Sequence, residues 1–242
     1  MDPVLAQLSR GRVHLGPFEV DEVPTQLDVT RASALHGERA QPLSGSQAPW
    51  GYVACEGREL RALIPDDVWA AESVLRLAWQ RLTVEQGGVL MHGSAVGFGA
   101  GGVAAIGQSG AGKSTLAALC AHPPGRATLL TDEIVQLLPD GTLFGSPFRS
   151  NHENVGAPGP VALRGLLLLE KGNREALTPV GTEEACAVLF AQLFWVPFPG
   201  APAVSELRRR VLALIASVGV FRLTFRKDVA VGAFLRDWVA SR

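Results

Sequence analysis

The fold of this chain is decided by the stretch Gly107-Gln108-Ser109-Gly110-Ala111-Gly112-Lys113-Ser114, which matches the pattern G-x-x-x-x-G-K-[ST]. The preceding residues, Val103-Ala104-Ala105-Ile106, are apolar and β-branched at two positions, as in a buried strand. The following residues, 115–121, are good helix formers and are succeeded by Pro123-Pro124. The sequence therefore predicts a strand, a glycine-rich loop and a helix in that order, which is the context that a phosphate-binding loop requires.

The residue types in this loop suit an anionic ligand. Glycines allow successive backbone N–H groups to point at phosphate oxygens, and the helix that follows directs its N-terminal N–H groups at the same anion. We expect Lys113 to place its charge between the β- and γ-phosphates of a nucleotide, and Ser114 to place its hydroxyl on Mg²⁺. The predicted nucleotide-binding residues are Gly107, Gln108, Ser109, Gly110, Ala111, Gly112, Lys113, Ser114 and Thr115. The alternative is a glycine-rich turn that binds nothing.

The composition limits the classes of protein to be considered. The 242 residues are 47% hydrophobic and 19% charged, which is typical of a globular chain, and a net charge of -1 argues against a broad nucleic-acid or anionic-membrane surface. No apolar run approaches the roughly 18 residues of a membrane span, and no secretory signal is visible. Three scattered cysteines favour a reducing compartment. We predict a cytoplasmic protein without nucleic-acid or membrane partners and leave open whether it forms a homo-oligomer.

The first part of the chain differs in pattern from the rest. Residues 1–65 contain short alternating segments at 13–15, 18–20, 52–55 and 60–64, and we predict a small β-rich lobe in which residues 43–47 form a turn. Residues 66–242 are predicted to form the catalytic domain. This domain opens with an amphipathic helix that runs to Gly87-Gly88. Its predicted inward positions are Val68, Ala71, Leu75, Ala78 and Leu82, with Trp69 and Trp79 as packing residues.

Two groups outside the loop are candidates for the same site. Residues 89–96 and the strand at 103–106 are predicted to form a hairpin, which would bring His92 near the start of the loop; a lone histidine is also commonly structural. Residues 127–131 are predicted to form a strand that ends in Asp132-Glu133. Such a carboxylate pair can hold Mg²⁺ beside a phosphate loop, or it can be a solvated turn.

The remaining segments predict an α/β fold. We expect a hairpin at 134–144, a loop at 150–160, and a buried strand at 161–169 that is interrupted at Arg164-Gly165. Helices are predicted at 182–195 and 205–217, followed by a strand at 221–225 and a last short helix. The run Arg208-Arg209-Arg210 is interpreted as a solvated helix face.

The order of these motifs resembles a known family. His92-Gly93 on a strand, the loop with Lys113-Ser114-Thr115, a strand ending in Asp132-Glu133, and Gly145-Ser146-Pro147-Phe148 together are similar to the catalytic domain of HPr kinase/phosphorylase and its short, divergent relatives. The resemblance covers about residues 85 to 230. Departures from the family pattern are Glu133 in place of the second aspartate, Thr115 in place of a glutamate, and Leu163-Arg164-Gly165-Leu166 without the acid of the family segment.

The resemblance implies a mixed sheet flanked by helices, as in P-loop HPr kinase and PEP carboxykinase-like proteins. It implies transfer of the γ-phosphate of ATP to a serine hydroxyl of a protein or peptide. By position, Lys113 and Ser114 take the phosphate and Mg²⁺ roles, and His92 lies beside the transferred phosphate. Asp132 and Glu133 divide two tasks, namely holding Mg²⁺, for which we name Asp132 with Ser114, and accepting the serine proton.

Two other functions are compatible with the same loop. One is a small-molecule kinase, with Arg149, His152 and Arg164 holding an anionic metabolite. The other is a nucleotide-sensing protein without catalysis, in which ATP orders the loop at 150–160 so that it docks on a partner.

Overall fold

The computed structural model describes residues 13–15, 18–20, 41–44, 49–56, 59–64, 68–146, 148, 156–157, 159–196 and 201–242. The predicted sites at Arg149 and His152 and most of the predicted loop at 150–160 lie outside these residues. Within them, no helix is long and apolar enough to cross a membrane.

The N-terminal residues form two small sheets, in line with the predicted β-rich composition. Strands β1 (Val13–Leu15) and β2 (Phe18–Val20) pair with each other, and β3 (Gln41–Ser44), β4 (Pro49–Glu56) and β5 (Glu59–Leu63) form an antiparallel three-stranded sheet. The turn predicted at 43–47 is wrong at its start: Leu43 pairs with Gly51 and thus belongs to β3. Residues 45–47 lie outside the described residues.

The larger part of the chain is an α/β unit, as predicted from the alternation of apolar segments. Its strands are β6 (Val89–Phe98), β7 (Gly101–Ile106), β8 (Thr128–Thr131), β9 (Ile134–Leu137), β10 (Thr142–Phe144), β11 (Pro160–Lys171), β12 (Ala176–Pro179) and β13 (Val220–Phe225). Its helices are α1 (Val68–Glu85), α2 (Lys113–Ala121), α3 (Thr182–Ala191), α4 (Val204–Val218) and α5 (Ala230–Ala240).

The eight strands form one mixed sheet. Seven of them follow the order β10-β9-β6-β7-β11-β13-β12. The eighth, β8, pairs with residues 95–97 of β6, after the residues 89–92 that pair with β9. The pairs β7–β11 and β11–β13 are parallel, and the other pairs are antiparallel. Strand β10 also pairs with β11, so five strands close a circuit of backbone pairings. The predicted interruption at Arg164-Gly165 is a shift of register in β11 against β7.

Two apolar layers cover the two faces of this sheet. On one face, α3 and α4 pack on residues such as Met91, Ala104 and Leu166. On the other face, α2 and α5 pack on residues such as Val103 and Leu167. Successive residues of a strand point to opposite faces, so adjacent residues of β7 and β11 contribute to different layers.

Helix α1 forms where it was predicted, but its buried positions differ from the predicted ones. Ala71, Leu75, Ala78 and Leu82 are only partly buried, whereas Ala70, Val74, Leu77 and Val84 are buried. Trp79 is fully buried, as predicted. Trp69 was predicted to pack and is instead 64% exposed.

Helix α3 ends at Ala191, before the predicted Trp195. The following residues leave the helix because they pair with the backbone of β6: the N–H of His92 donates to the carbonyl of Gln192 (2.8 Å), and the N–H of Phe194 donates to that of Leu90 (2.9 Å).

Candidate functional site

The predicted phosphate loop, residues 107–114, connects the end of β7 to the start of α2. Gly110 (φ 80°) and Gly112 (φ 97°) adopt left-handed backbone conformations that favour glycine. The N–H of Ala111 donates to the carbonyl of Gln108 (3.2 Å), and the N–H of Leu116 donates to that of Gly112 (2.8 Å), which starts the helix. The loop thus reverses the chain tightly enough to aim the N-terminus of α2 back across the end of the sheet.

Lys113 is held by its own loop. Its Nζ donates to the carbonyl oxygens of Gly107 (2.7 Å) and Gln108 (2.8 Å). Partial burial lowers the pKa of Lys113 from its ordinary value, and the negative charge of Asp132 opposes that shift. The hydroxyl of Ser94 on β6 donates to the carbonyl of Lys113 (3.1 Å), which fixes the start of α2 to the sheet.

The acidic pair lies where β8 gives way to β9 along the same edge of β6. The N–H of Gly93 on β6 donates to the carbonyl of Glu133 (3.0 Å). The Thr131 hydroxyl donates to the carbonyl of Ile134 (2.9 Å) and accepts from the N–H of Glu133 (3.3 Å). These bonds fix the backbone of the pair, so both side chains start from a defined position beside the phosphate loop.

An arginine that the sequence analysis did not identify contacts this pair. Arg76 of α1 donates from Nη1 to Oε1 of Glu133 (2.7 Å) and from Nε to Oε1 of Glu72 (3.0 Å), and its guanidinium lies 5.1 Å from the centre of the Phe148 ring. Burial by itself would lower the pKa of Arg76; the hydrogen bond and charge of Glu133, followed by those of Glu72, raise it above the ordinary value. No local pattern in α1 marks this residue as part of the site, because its partner there, Glu133, is 57 positions away.

His92 lies on β6 next to the loop, as the predicted hairpin requires. Gly93 pairs with Ile106, the last residue of β7, so the imidazole is directly adjacent to the start of the loop. The ring meets Phe194 edge-on with centroids 5.6 Å apart. Partial burial lowers the pKa of His92; Glu133 opposes the shift, and Arg76 and Lys113 add to it. The imidazole is therefore favoured in its neutral form.

A second residue that the sequence analysis missed is Gln192, the first residue after α3. Its segment, residues 192–196, is fixed at both ends: it pairs with β6 next to His92, and the side-chain amide of Gln80 bonds the backbone of Val196 in both directions (2.7 and 2.8 Å). A glutamine in an apolar segment is a weak sequence signal, and only the pairing with β6 brings it to the site.

These residues meet around one cavity of about 470 Å³ at the end of the sheet. The cavity brings together five residues with predicted chemical roles, namely His92, Lys113, Ser114, Asp132 and Glu133. The predicted nucleotide-binding residues Gly107, Ser109, Gly110, Gly112 and Thr115 also line it, together with Gly93 and Gln192. Gln108 and Ala111 of the predicted set do not line it; Gln108 contributes its carbonyl to Lys113.

The chemistry of this cavity fits the predicted Mg²⁺. Ser114 and Asp132 offer a hydroxyl and a carboxylate, the oxygen donors that Mg²⁺ prefers. Among the described residues, no group of three or more His, Cys, Asp or Glu converges to enclose a metal. Mg²⁺ at phosphate sites needs only one or two protein ligands, since water and phosphate supply the rest, so these two residues suffice.

Arg164 does not belong to this cavity. It donates from Nε and Nη2 to the carbonyl of Ala100 (3.3 and 3.0 Å), in the turn between β6 and β7. That turn lies at the opposite end of β7 from the phosphate loop. The metabolite pocket predicted from Arg149, His152 and Arg164 is therefore wrong with respect to Arg164, because the parallel pairing of β11 with β7 places residue 164 at the far end of the sheet.

No protein-family model matches this chain, and no curated protein matches it. What the site does must accordingly be inferred from its own geometry.

Proposed function

We propose that this chain is an ATP- and Mg²⁺-dependent kinase of the HPr kinase-like type, which transfers the γ-phosphate of ATP to a serine hydroxyl of a protein or peptide. The observation that supports this most is that a phosphate loop, two carboxylates and a histidine from three separate parts of the chain line one cavity. A glycine-rich turn without a ligand gives no reason for that convergence. The serine acceptor and the HPr kinase-like fold rest on the resemblance of the motifs.

The roles are those that the resemblance implies, and they are supported by the shared position of these side chains at one cavity. The N–H groups of the loop and the Lys113 ammonium stabilise negative charge on the β- and γ-phosphates. Ser114 and Asp132 would hold Mg²⁺, which supplies further neutralisation of phosphate charge. The serine oxygen forms a bond to the γ-phosphorus, the bond from that phosphorus to the bridging oxygen of ADP breaks, and a carboxylate of the acidic pair accepts the serine proton. His92, which lines the cavity and is favoured in its neutral form, would donate a hydrogen bond to the transferred group.

The test uses γ-labelled ATP, Mg²⁺ and a lysate of the host organism. Wild type is compared with Lys113→Ala and Asp132→Asn, and with Lys227→Ala, which removes an exposed lysine outside the cavity. We expect a labelled, alkali-labile protein band with wild type and Lys227→Ala only. Loss of the Lys113 ammonium should also weaken ATP binding by about 1.5–3 kcal/mol, the range for hydrogen bonds to charged groups.

Other outcomes point to the alternatives. Label on a small molecule would identify a metabolite kinase, and bound ATP without transfer or hydrolysis would favour nucleotide sensing. Equal transfer by wild type and Lys113→Ala would refute the assignment of the site.

A further inference from the structure

The predicted residues of the cavity leave one negative charge on its wall without a counter-charge. Asp132 and Glu133 are adjacent carboxylates on the wall of a cavity that is proposed to receive a polyanion. Mg²⁺ held by Asp132 would offset one of these charges, and Lys113 lies on the side of the loop. A second carboxylate without a counter-charge would repel the phosphates across a partly buried site, where Coulomb interactions are screened less than in water.

Arg76 supplies that counter-charge from outside the cavity. Its guanidinium bonds Glu133 at 2.7 Å, and both side chains are largely removed from solvent, with 17% and 24% exposed. The other side of the guanidinium bonds Glu72, whose side chain is 4% exposed, and the guanidinium carbon lies over the Phe148 ring. These three contacts fix the arginine, so the Glu133 carboxylate is restricted to the side of the cavity that faces α1.

We infer that Arg76 is a positioning residue for the nucleotide site, which acts through Glu133 by fixing its carboxylate and offsetting its charge so that the phosphates of ATP can occupy the cavity. This inference rests on the proposed nucleotide-binding function. A positioning role can be told apart from a purely structural role of Arg76 within α1. If Arg76 positions Glu133, the loss of nucleotide affinity on removing Arg76 must depend on the charge at Glu133.

The experiment is a double-mutant cycle on the affinity of the full chain for Mg²⁺–ADP, measured by titration calorimetry. Because Arg76→Gln would leave Glu72 buried without its partner, the cycle is built in a Glu72→Gln background. The background variant is the reference, since Glu72 does not line the cavity. We expect Arg76→Gln to weaken Mg²⁺–ADP binding about ten-fold in this background, and Glu133→Gln to restore most of that loss when added to it.

A second arm uses the otherwise unchanged chain. Arg76→Lys keeps the positive charge and should retain binding to within about three-fold, although lysine cannot bond two carboxylates with one planar group. In the Glu72→Gln background, two results would overturn the inference. One is that Arg76→Gln binds Mg²⁺–ADP as tightly as the reference; the other is that adding Glu133→Gln restores none of the lost affinity. Wild type that binds no Mg²⁺–ADP would overturn the proposed function and this inference with it, which is a distinct result.

Discussion

Gly93 has no room for a side chain. A Cβ atom there would lie 2.6 Å from Cδ1 of Ile106, 2.8 Å from the carbonyl oxygen of Ala105 and 3.0 Å from Cγ2 of Val135. The carbonyl belongs to the paired strand β7 and cannot retreat without breaking the ladder. The absence of a side chain therefore lets β6, β7 and the acidic pair approach closely enough to form one cavity wall.

We predict that Gly93→Ala destabilises the protein by about 1–3 kcal/mol, the range for overpacking in a core, and weakens nucleotide binding with it. The control is Gly97→Ala on the same strand, where the nearest atoms to an added Cβ are 3.6 Å away. Urea denaturation should find this second variant as stable as wild type or slightly more so. Equal losses in both variants would mean that strand propensity, not the close contact, sets the cost.

His92 makes stability depend on pH. Its pKa is lower in the folded chain than the ordinary 6.5, so the unfolded chain binds more protons as the pH falls through and below 6.5. Stability should therefore decrease from about pH 8 towards about pH 5, until the pH is below the folded pKa, where the contribution levels off.

We predict that His92→Gln flattens this decrease, because glutamine does not titrate. Thermal unfolding midpoints of both proteins across the range would measure it. The groups that act on the His92 pKa, namely Glu133, Arg76 and Lys113, are the same in both proteins. Parallel curves for wild type and variant would contradict the prediction.

At the scale of elements, the local pattern of α1 predicts the helix correctly but not all of its buried positions. Its period predicts a helix, yet three polar residues on it are buried: Glu72, Gln80 and Thr83. Each has a specific partner, respectively Arg76, the Val196 backbone and Gln136. Buried polar groups need such partners, and the partners of Gln80 and Thr83 are remote in sequence, so apolar periodicity alone could not identify the buried face.

The arginine run of α4 is a second example. Arg208 and Arg209 are exposed, as predicted, but Arg210 donates from Nη1 to the carbonyl of Val84 in the last turn of α1 (2.8 Å) and to that of Gly88 just beyond the helix (3.1 Å). The carbonyls of a last helical turn lack partners within the helix. Arg210 thus joins α4 to the C-terminus of α1.

We predict that Arg210→Met destabilises the protein by about 1–2 kcal/mol, since it leaves those carbonyls without their charged donor. Arg208→Met, on the exposed face of the same helix, should change stability by less than about 0.5 kcal/mol. Chemical denaturation of both variants measures the difference. Similar changes in unfolding free energy for the two variants would show that water replaces Arg210 as the donor to these carbonyls.

At the scale of the whole molecule, β11 is shared by both apolar layers. Leu166 belongs to the layer under α3 and α4, and Leu167 to the layer under α2 and α5; both are fully buried. The same strand pairs with β7, β10 and β13. The phosphate loop follows β7, which lies between this strand and β6, and β6 likewise pairs with three strands.

We predict that Leu166→Ala destabilises the protein by about 2–5 kcal/mol through the transfer and cavity terms of a buried leucine. Val204→Ala truncates an apolar side chain that is 64% exposed and should have little effect. Urea unfolding followed by far-ultraviolet circular dichroism gives both values. If Leu166→Ala lowered the free energy of unfolding by less than about 1 kcal/mol, the surrounding apolar residues would have to fill the cavity left by the truncation.

The local parts of this protein follow from the sequence alone. The strand before Gly107, the loop and the helix from Lys113 follow from neighbouring residues, because glycine conformation, apolar alternation and helix propensity act over a few positions. The same holds for the hairpin that carries His92 and for the strand that ends just before Asp132.

The remote residues of the site are brought to it by tertiary contacts. Arg76 reaches Glu133 across 57 positions, and Gln192 arrives because residues after α3 pair with β6. Arg164 is not part of the site, because the parallel pairing of β11 with β7 places it at the other end of the sheet. Such contacts depend on strand order and register, which arise from burial of the whole sheet and leave no short-range pattern in the chain.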